Sequence, residues 1–326
     1  EAYSMGDEIS VLRHGRLVRH ISEAVLKKSS EAEIKNSVLE AMFGEDLGAV
    51  GDKAFVEEIS AASDAHHLRV TKSFGTLAPL LSLSGISSPD SPTETPIKDF
   101  SIDIRPGEIV GVAGIDGHGQ KPLAELVAGQ RKLTGGKIFF DGEDISSMGV
   151  RKRQSLGIRY VTDDRLHEGI VGDISVAVNL VLKRIGTAPF WRWGRMNKNA
   201  VDHEAQNLVT SFDIRTPSLH TRAGTLSGGN IQKLLLAREL THEPRVVIFN
   251  KPTYGLDLKT VGRVRTIVRD FAENGGSVLL ISTDLDELVE LSDRIVLISG
   301  GRLSGEVVND SAKTAERVGE LMLGPN

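Results

Sequence analysis

The chain has 326 residues, 40% of them hydrophobic and 25% charged, enough for a sizeable core in one large domain or two small ones. Its net charge of −5 offers no broad basic field to nucleic acid or an anionic membrane surface. The lack of cysteine excludes a disulfide scaffold and a thiolate metal site and suits a reducing cytosol, while no run approaches the roughly 18 apolar residues of a membrane span.

Residues 1–18, EAYSMGDEISVLRHGRLV, parallel residues 286–307, DELVELSDRIVLISGGRLSGEV, with Asp7 matching Asp293 and Gly15 matching Gly301. Each copy reads as two short strands joined at His14-Gly15 or Gly300-Gly301, then a helical stretch ending in EAMFG (40–44) or ELMLG (320–324). Residues 1–44 are therefore expected to be the tail of a preceding homologous domain, and the chain, opening at Glu1 inside a structured segment, a piece of a longer polypeptide. Residues 45–78 lack a clear period and read as a linker with one short helix around 55–62, whose pair His66-His67 has no further metal ligand at fixed spacing. Residues 79–326 are expected to form the main domain.

Within it, SSPDSPTETP (87–96) is a polar, proline-rich tip between two strand-like runs, LLSLSGI and IKDFSIDI. The runs EIVGVAG, KIFF, GIRYV, RVVIFN and SVLLIST read as buried strands of a largely parallel sheet alternating with helices, which is α/β architecture. A helix over residues 260–274 sets Val261, Val264, Ile267, Val268 and Phe271 on one face and stops at Gly275-Gly276.

One strand runs through GIDGHGQKP (114–122) into a helix, the order of a phosphate-binding loop, with Gly114, Gly117 and Gly119 where amides must converge on phosphate oxygens. The lysine position of that motif is Gln120, and its serine or threonine position is Lys121. Loss of the lysine removes a charge-assisted hydrogen bond of about 1.5–3 kcal/mol, a tenfold to hundredfold effect on affinity. Lys121 leaves the helix in another direction, which disfavours rescue. Further on, TLSGGNIQKLLLAREL (225–240) sets a serine and two glycines at a helix start, suited to an anion, and is followed by the strand RVVIFN and then PTYGLD.

Together GEIVGVAGIDGHGQ, GIRYVTDDRLHEGIVGDISVAVNLVL, LSGGNIQKLLLAREL and PTYGLDL resemble the second half of tandem ABC-type ATPases that power import of simple sugars and nucleosides. The likeness covers nearly the whole chain, and the loop around Gln120 and the segment APFWRWGRMNK (188–198) look closer to the nucleoside branch. It implies a P-loop ABC fold: a parallel core sheet, an antiparallel β subdomain and a helical signature subdomain.

The resemblance assigns ATP binding to Gly114, Asp116, Gly117, His118, Gly119, Gln120, Lys121 and Pro122, the signature to Leu226, Ser227, Gly228, Gly229 and Asn230, and the D-loop to Gly255, Leu256 and Asp257. It expects Asp257 to be free to reach across a dimer interface. The Walker B aspartate and catalytic glutamate positions hold Asn250 and Lys251, and the switch histidine position holds Thr283, so no catalytic residue is intact. No aromatic lies between Gly75 and Asp99, where an adenine is usually stacked. Asp163, Asp164 and Arg165 either fall where the γ-phosphate is sensed or form a solvated charge cluster, and Trp191 and Trp193 fall in the helical subdomain, where they either fill its small core, the favoured reading, or contact the permease.

In such dimers each ATP lies between one half's phosphate loop and the other half's signature. The implied function is a half that supplies its signature to the partner's ATP and Mg2+ while its own degenerate site, with no metal, holds ATP weakly as an interface wedge without turning it over. The implied partners are the first nucleotide-binding half, membrane permease subunits and, indirectly, a solute-binding protein, but no nucleic acid. The implied location is cytoplasmic, on the inner face of the cell membrane. The alternatives are a structural or regulatory pseudo-ATPase that never binds nucleotide, and a soluble ABC protein acting on ribosomes or DNA, which the acidic balance disfavours.

Overall fold

A computed structural model describes residues 6–13, 16–30, 33–34, 37–38, 41, 74, 77–310 and 313–323. The chain divides into two compact units, Glu1–His67 and Leu68–Asn326. The short helix expected around residues 55–62, the pair His66-His67, the first hairpin tip and the tail 42–44 lie outside the described residues.

In the first unit, β1 (Ile9–Arg13) pairs antiparallel with β2 (Arg16–Ile21), and α1 (Glu23–Leu26) follows. Ile9, Val11, Ile21, Leu26 and Ile34 make a small buried cluster.

The second unit runs β3 (Leu81–Ser87), β4 (Phe100–Ile104), β5 (Ile109–Ala113), α2 (Gln120–Ala128), β6 (Gly135–Phe140), β7 (Glu143–Asp144), α3 (Val150–Ser155) and β8 (Ile158–Val161). Then come α4 (Val176–Leu180), β9 (Trp191–Arg192), β10 (Arg195–Met196), α5 (Lys198–Ser211) and α6 (Gly228–Leu240). The rest is β11 (Val246–Asn250), α7 (Leu258–Glu273), β12 (Ser277–Ile281), α8 (Leu285–Leu291), β13 (Arg294–Ser299), β14 (Arg302–Val308) and α9 (Thr314–Leu323).

Six strands form the core sheet in the order β14-β13-β5-β12-β11-β8, parallel except for β14. Every residue of β5, β11 and β12 is buried, which is why each reads as an unbroken apolar run. The run KIFF departs from expectation: it lies in β6, antiparallel to β3 in a four-stranded sheet ordered β4-β3-β6-β7. Its alternation explains this, since Ile138 and Phe140 are buried while Lys137 and Phe139 are not, as fits a strand with one solvated face.

A separate core joins α4, α5 and α6 through Val176, Leu180, Phe190, Val201, Leu208 and Leu234. Trp191 packs on that core, but Trp193 is 86% exposed and sits at φ 56° in the β9–β10 turn. The core reading therefore holds for Trp191, while Trp193 lies outside that core. The turn before Gly194 carries Trp193 away from the helices.

Helix α7 begins two residues before the predicted start because Asp257 caps it, accepting from the Thr260 amide at 3.0 Å. Val264, Val268 and Ala272 are its buried stripe. The two terminal hairpins share their register residue for residue. Ile9↔Ile21, Val11↔Arg19 and Arg13↔Arg16 correspond to Ile295↔Val307, Leu297↔Gly305 and Ser299↔Arg302. Both shift register at the matching place, between Val11 and Leu12 and between Leu297 and Ile298.

Candidate functional site

Strands β5, β8, β11 and β12 run parallel, so the loops after them gather at one edge of the sheet, where open α/β sheets bind ligands. The loop after β5 carries the predicted phosphate-binding residues. Gly114 is required there: a Cβ would meet the Ile298 carbonyl oxygen at 2.5 Å and Gln120 Nε2 at 3.0 Å. Asp116 Oδ1 accepts from the Gly117 amide at 3.1 Å, and the His118 carbonyl accepts from the Gly301 amide at 3.0 Å, tying the loop to the β13–β14 turn. Pro122 sits in the first turn of α2, where its missing N–H leaves no helix bond unmade.

Gln120 is 3% exposed and folds back into the loop, its Nε2 donating to the Ile115 carbonyl at 2.8 Å. Its Oε1 is buried without a hydrogen-bond partner. Lys121, about 100° further round the helix, points elsewhere. Its Nζ donates to Glu168 Oε1 at 2.6 Å, and this bond raises the lysine pKa. Glu168 lies on a single π-turn, Arg165–Gly169, and its other oxygen accepts from the Thr162 hydroxyl at 2.8 Å. Lys121 thus does not take the place of the missing lysine.

At the end of β11, Asn250 Nδ2 donates to Asp163 Oδ1 at 2.8 Å and lies 3.5 Å from the Tyr160 hydroxyl, whose pKa burial pushes up to about 12. Asn250 Oδ1 is buried with no partner. Lys251 adopts φ 46°, a strained conformation for a residue with a Cβ, held by its amide's bond to the Ile281 carbonyl at 2.8 Å. Its Nζ donates to Asp116 Oδ1 at 2.6 Å, a bond that holds the Asp116 carboxyl below its ordinary value. The loops after β5 and β11 are thereby clipped together. Thr283, after β12, is exposed.

The magnesium that this fold implies does not fit these residues. An amide stands at the metal-shell acid, an ammonium beside it is bonded into the loop, and a lysine replaces the hydroxyl that follows the phosphate-binding residue. Among the described residues no group of three or more His, Cys, Asp or Glu is placed to hold a metal ion.

The signature end is built differently. Ser227 stands at the N-cap of α6, exposed, with no helix amide bonded to its side chain; its Oγ accepts from Asn230 Nδ2 at 2.9 Å instead. The first-turn amides of α6 therefore keep their donors open, at the positive end of a 13-residue helix. A side chain at Gly229 would be tight, because a Cβ would meet Thr260 Oγ1 at 3.0 Å. Thr260 in turn donates its hydroxyl to Asp257 Oδ2 at 2.8 Å. Asp257 is thus engaged as the cap of α7, in contrast to the free carboxylate expected.

Sequence reasoning missed two further ties. Arg165 Nε donates to Gln232 Oε1 of α6 at 2.7 Å, and its Nη2 donates to the Tyr254 carbonyl, so one guanidinium joins the loop after β8, the signature helix and the D-loop. Lys183 Nζ and Arg238 Nε both bond the fully buried Glu239, at 2.5 and 2.9 Å. Such pairings between residues remote in sequence leave no local signal.

The ABC transporter family matches residues 97–254. The nucleoside import ATP-binding protein NupA of Lactococcus lactis is 31% identical over 326 residues, all of this chain and 59% of its own length. The guanosine import ATP-binding protein NupO of Bacillus subtilis is 36% identical over 247 residues, 76% of this chain and 48% of its own. A ribose import ATP-binding protein of Escherichia coli O157:H7 is 30% identical over all of this chain and 58% of its own. The chain thus spans about half the length of the curated relatives it matches. Among solved structures, a nucleotide-free ATP-binding cassette of an ABC transporter superposes with a TM-score of 0.63 at 19% identity, covering 76% of this chain and 100% of its own. A dimeric cassette in a post-hydrolysis state with ADP and Pi gives 0.61 at 20%, covering 71% and 99%. At those identities the structures speak for the fold alone. Residues 97–254 thus match the ABC transporter family, and the larger unit has the P-loop fold of ABC ATP-binding cassettes.

Proposed function

We propose that this chain is the second nucleotide-binding half of an ABC importer for simple sugars or nucleosides, and that it serves mainly as signature donor. Leu226, Ser227, Gly228, Gly229 and Asn230, with the D-loop Gly255, Leu256 and Asp257, complete a site whose ATP and Mg2+ are held by the first half. That half, the permease subunits and, indirectly, a solute-binding protein are its partners, and it works on the cytoplasmic face of the membrane. Among the described residues no helix is long and apolar enough to cross a membrane.

One observation carries the reading. The first-turn α6 amides are open beside an exposed Ser227, whereas Lys121 and Lys251, one beside the loop after β5 and one after β11, are bonded to carboxylates and Asn250 stands at the end of β11. Exposed apolar side chains support a facing partner: Ile115, Leu166, Tyr254 and Leu258 all stand in or beside loops at this sheet edge.

Ser227→Arg in the complete protein tests the proposal. A bulky side chain at the helix start blocks the approach of a phosphate held opposite. Steady-state ATP hydrolysis and transport should fall together by at least about a hundredfold, the scale of losing a preorganised oxyanion donor. Hydrolysis within twofold of the parent would end the signature-donor reading.

A further inference from the structure

One amide of the loop after β5 and a lysine from the loop after β11 already hold an anion, and it comes from the chain itself. Asp116 Oδ1 takes the Gly117 amide at 3.1 Å and the Lys251 ammonium at 2.6 Å, the kind of donor pair that a phosphate oxygen would engage. The lysine comes from the position where this family carries the catalytic glutamate. Next to it, Asn250 replaces the acid of the metal shell, and its buried Oδ1 is unpartnered, as is Gln120 Oε1 inside the loop. A divalent cation would be repelled by the ammonium and would find no carboxylate at Asn250. A polyphosphate gains the same ammonium as a counter-charge without any metal.

We infer that the Asp116 carboxylate is a built-in competitor for the phosphate groups of a nucleotide, and that Lys251, released by that exchange, neutralises them in place of magnesium. The inference rests on the reading that this half's own loop does not turn ATP over, and it adds how that loop takes nucleotide. Asp116 is mostly exposed and free to swing out, whereas Lys251 is largely enclosed and stays facing the loop. With no aromatic between Gly75 and Asp99 to stack adenine, the phosphates supply most of the recognition. Inorganic tripolyphosphate should therefore compete nearly as well as ATP.

The test is equilibrium binding of a fluorescent ATP analogue to this chain, in excess EDTA and in millimolar magnesium, with far-UV circular dichroism to confirm that each variant folds. The affinities in the two buffers should agree within about twofold. Asp116→Asn should tighten binding about tenfold in EDTA by removing the competitor, and Lys251→Gln should weaken it about tenfold, on the scale of one charge-assisted hydrogen bond. Tripolyphosphate should displace the probe from the parent and from Asp116→Asn. Binding that is tenfold tighter with magnesium, an Asp116→Asn variant that binds no better, or no binding in either buffer would each overturn the inference. None of these results bears on the signature-donor reading, because Ser227 lies outside this loop and its test reads hydrolysis at the partner's site.

Discussion

At one edge of the sheet, the phosphate loop and the signature loop solve opposite problems. In the first, Gln120 turns its amide onto Ile115, Lys121 pairs with Glu168, Asn250 with Asp163 and Lys251 with Asp116. In the second, the first-turn amides of α6 are open and Ser227 is exposed. Polar groups that face each other contribute to holding the domain together. Groups left open at a helix start are available to a ligand, and leaving them so costs little while water reaches them. One end of the sheet edge spends its polar groups on the chain itself, and the other leaves them open.

The strongest way to break that comparison is to damage both ends of the complete protein. Ser227→Arg should abolish ATP hydrolysis, whereas Gln120→Ala should cost less than about threefold, because it removes one neutral hydrogen bond from a site without acid or base. Comparable losses in steady-state hydrolysis would show that the phosphate loop is needed for the cycle.

A second test asks whether inward-facing charge elsewhere behaves as structure. Lys183→Met removes one of the two cations on buried Glu239 and leaves Arg238. Breaking a buried ion pair costs about 3–5 kcal/mol, and the surviving arginine puts the loss near the lower end. Urea unfolding that shows less than about 1 kcal/mol of change would mean that Glu239 is satisfied by Arg238 alone.

How far the site was legible follows from distance along the chain. The glycines of the β5–α2 loop and the serine-glycine start of α6 are local features, and they appear in the structure where their spacing put them. The identities of Gln120, Asn250, Lys251 and Thr283, which the resemblance expects to be other residues, were equally plain. What their side chains meet was not, because Asp116 meets Lys251 and Asp163 meets Asn250 only after the parallel sheet brings their strand ends together. KIFF was misassigned because four apolar or long side chains hide a two-residue alternation. That Trp193 stays out of the core was not legible, because composition does not reveal which side of a turn a residue takes.

Glu287 offers a smaller, pH-dependent test, since it is buried on α8 with no ordinary hydrogen bond to either carboxyl oxygen. Burial raises its pKa, and the Ser282 and Thr253 hydroxyls and Arg265 offset this only in part. A raised folded-state pKa means that the neutral acid's contribution is full below 4.5 and is lost as pH rises through the folded value. Against Glu287→Gln, the parent should therefore lose stability as pH rises above about 4.5, at about 1.4 kcal/mol for each unit of elevation. Parallel stability curves from urea melts across that range would show that the carboxyl ionises freely in the folded protein.

The smallest expected effect concerns Asp257, and it decides which side of the comparison the D-loop belongs to. Its carboxylate accepts from the Thr260 amide at 3.0 Å and the Thr260 hydroxyl at 2.8 Å, and Thr260 Oγ1 lies where a Cβ on Gly229 would collide. The side chain therefore both caps α7 and supports the start of α6. Asp257→Ala should cost about 1 kcal/mol in urea unfolding, the usual value of a lost cap. Asp257→Ser should restore most of it, because a hydroxyl caps the helix nearly as well without the charge. If the cap is the whole role, the serine variant should also recover ATP hydrolysis in the complete protein. A serine variant that regains stability but not hydrolysis would show that the carboxylate itself acts across an interface, and the D-loop would then join the signature on the outward-facing side.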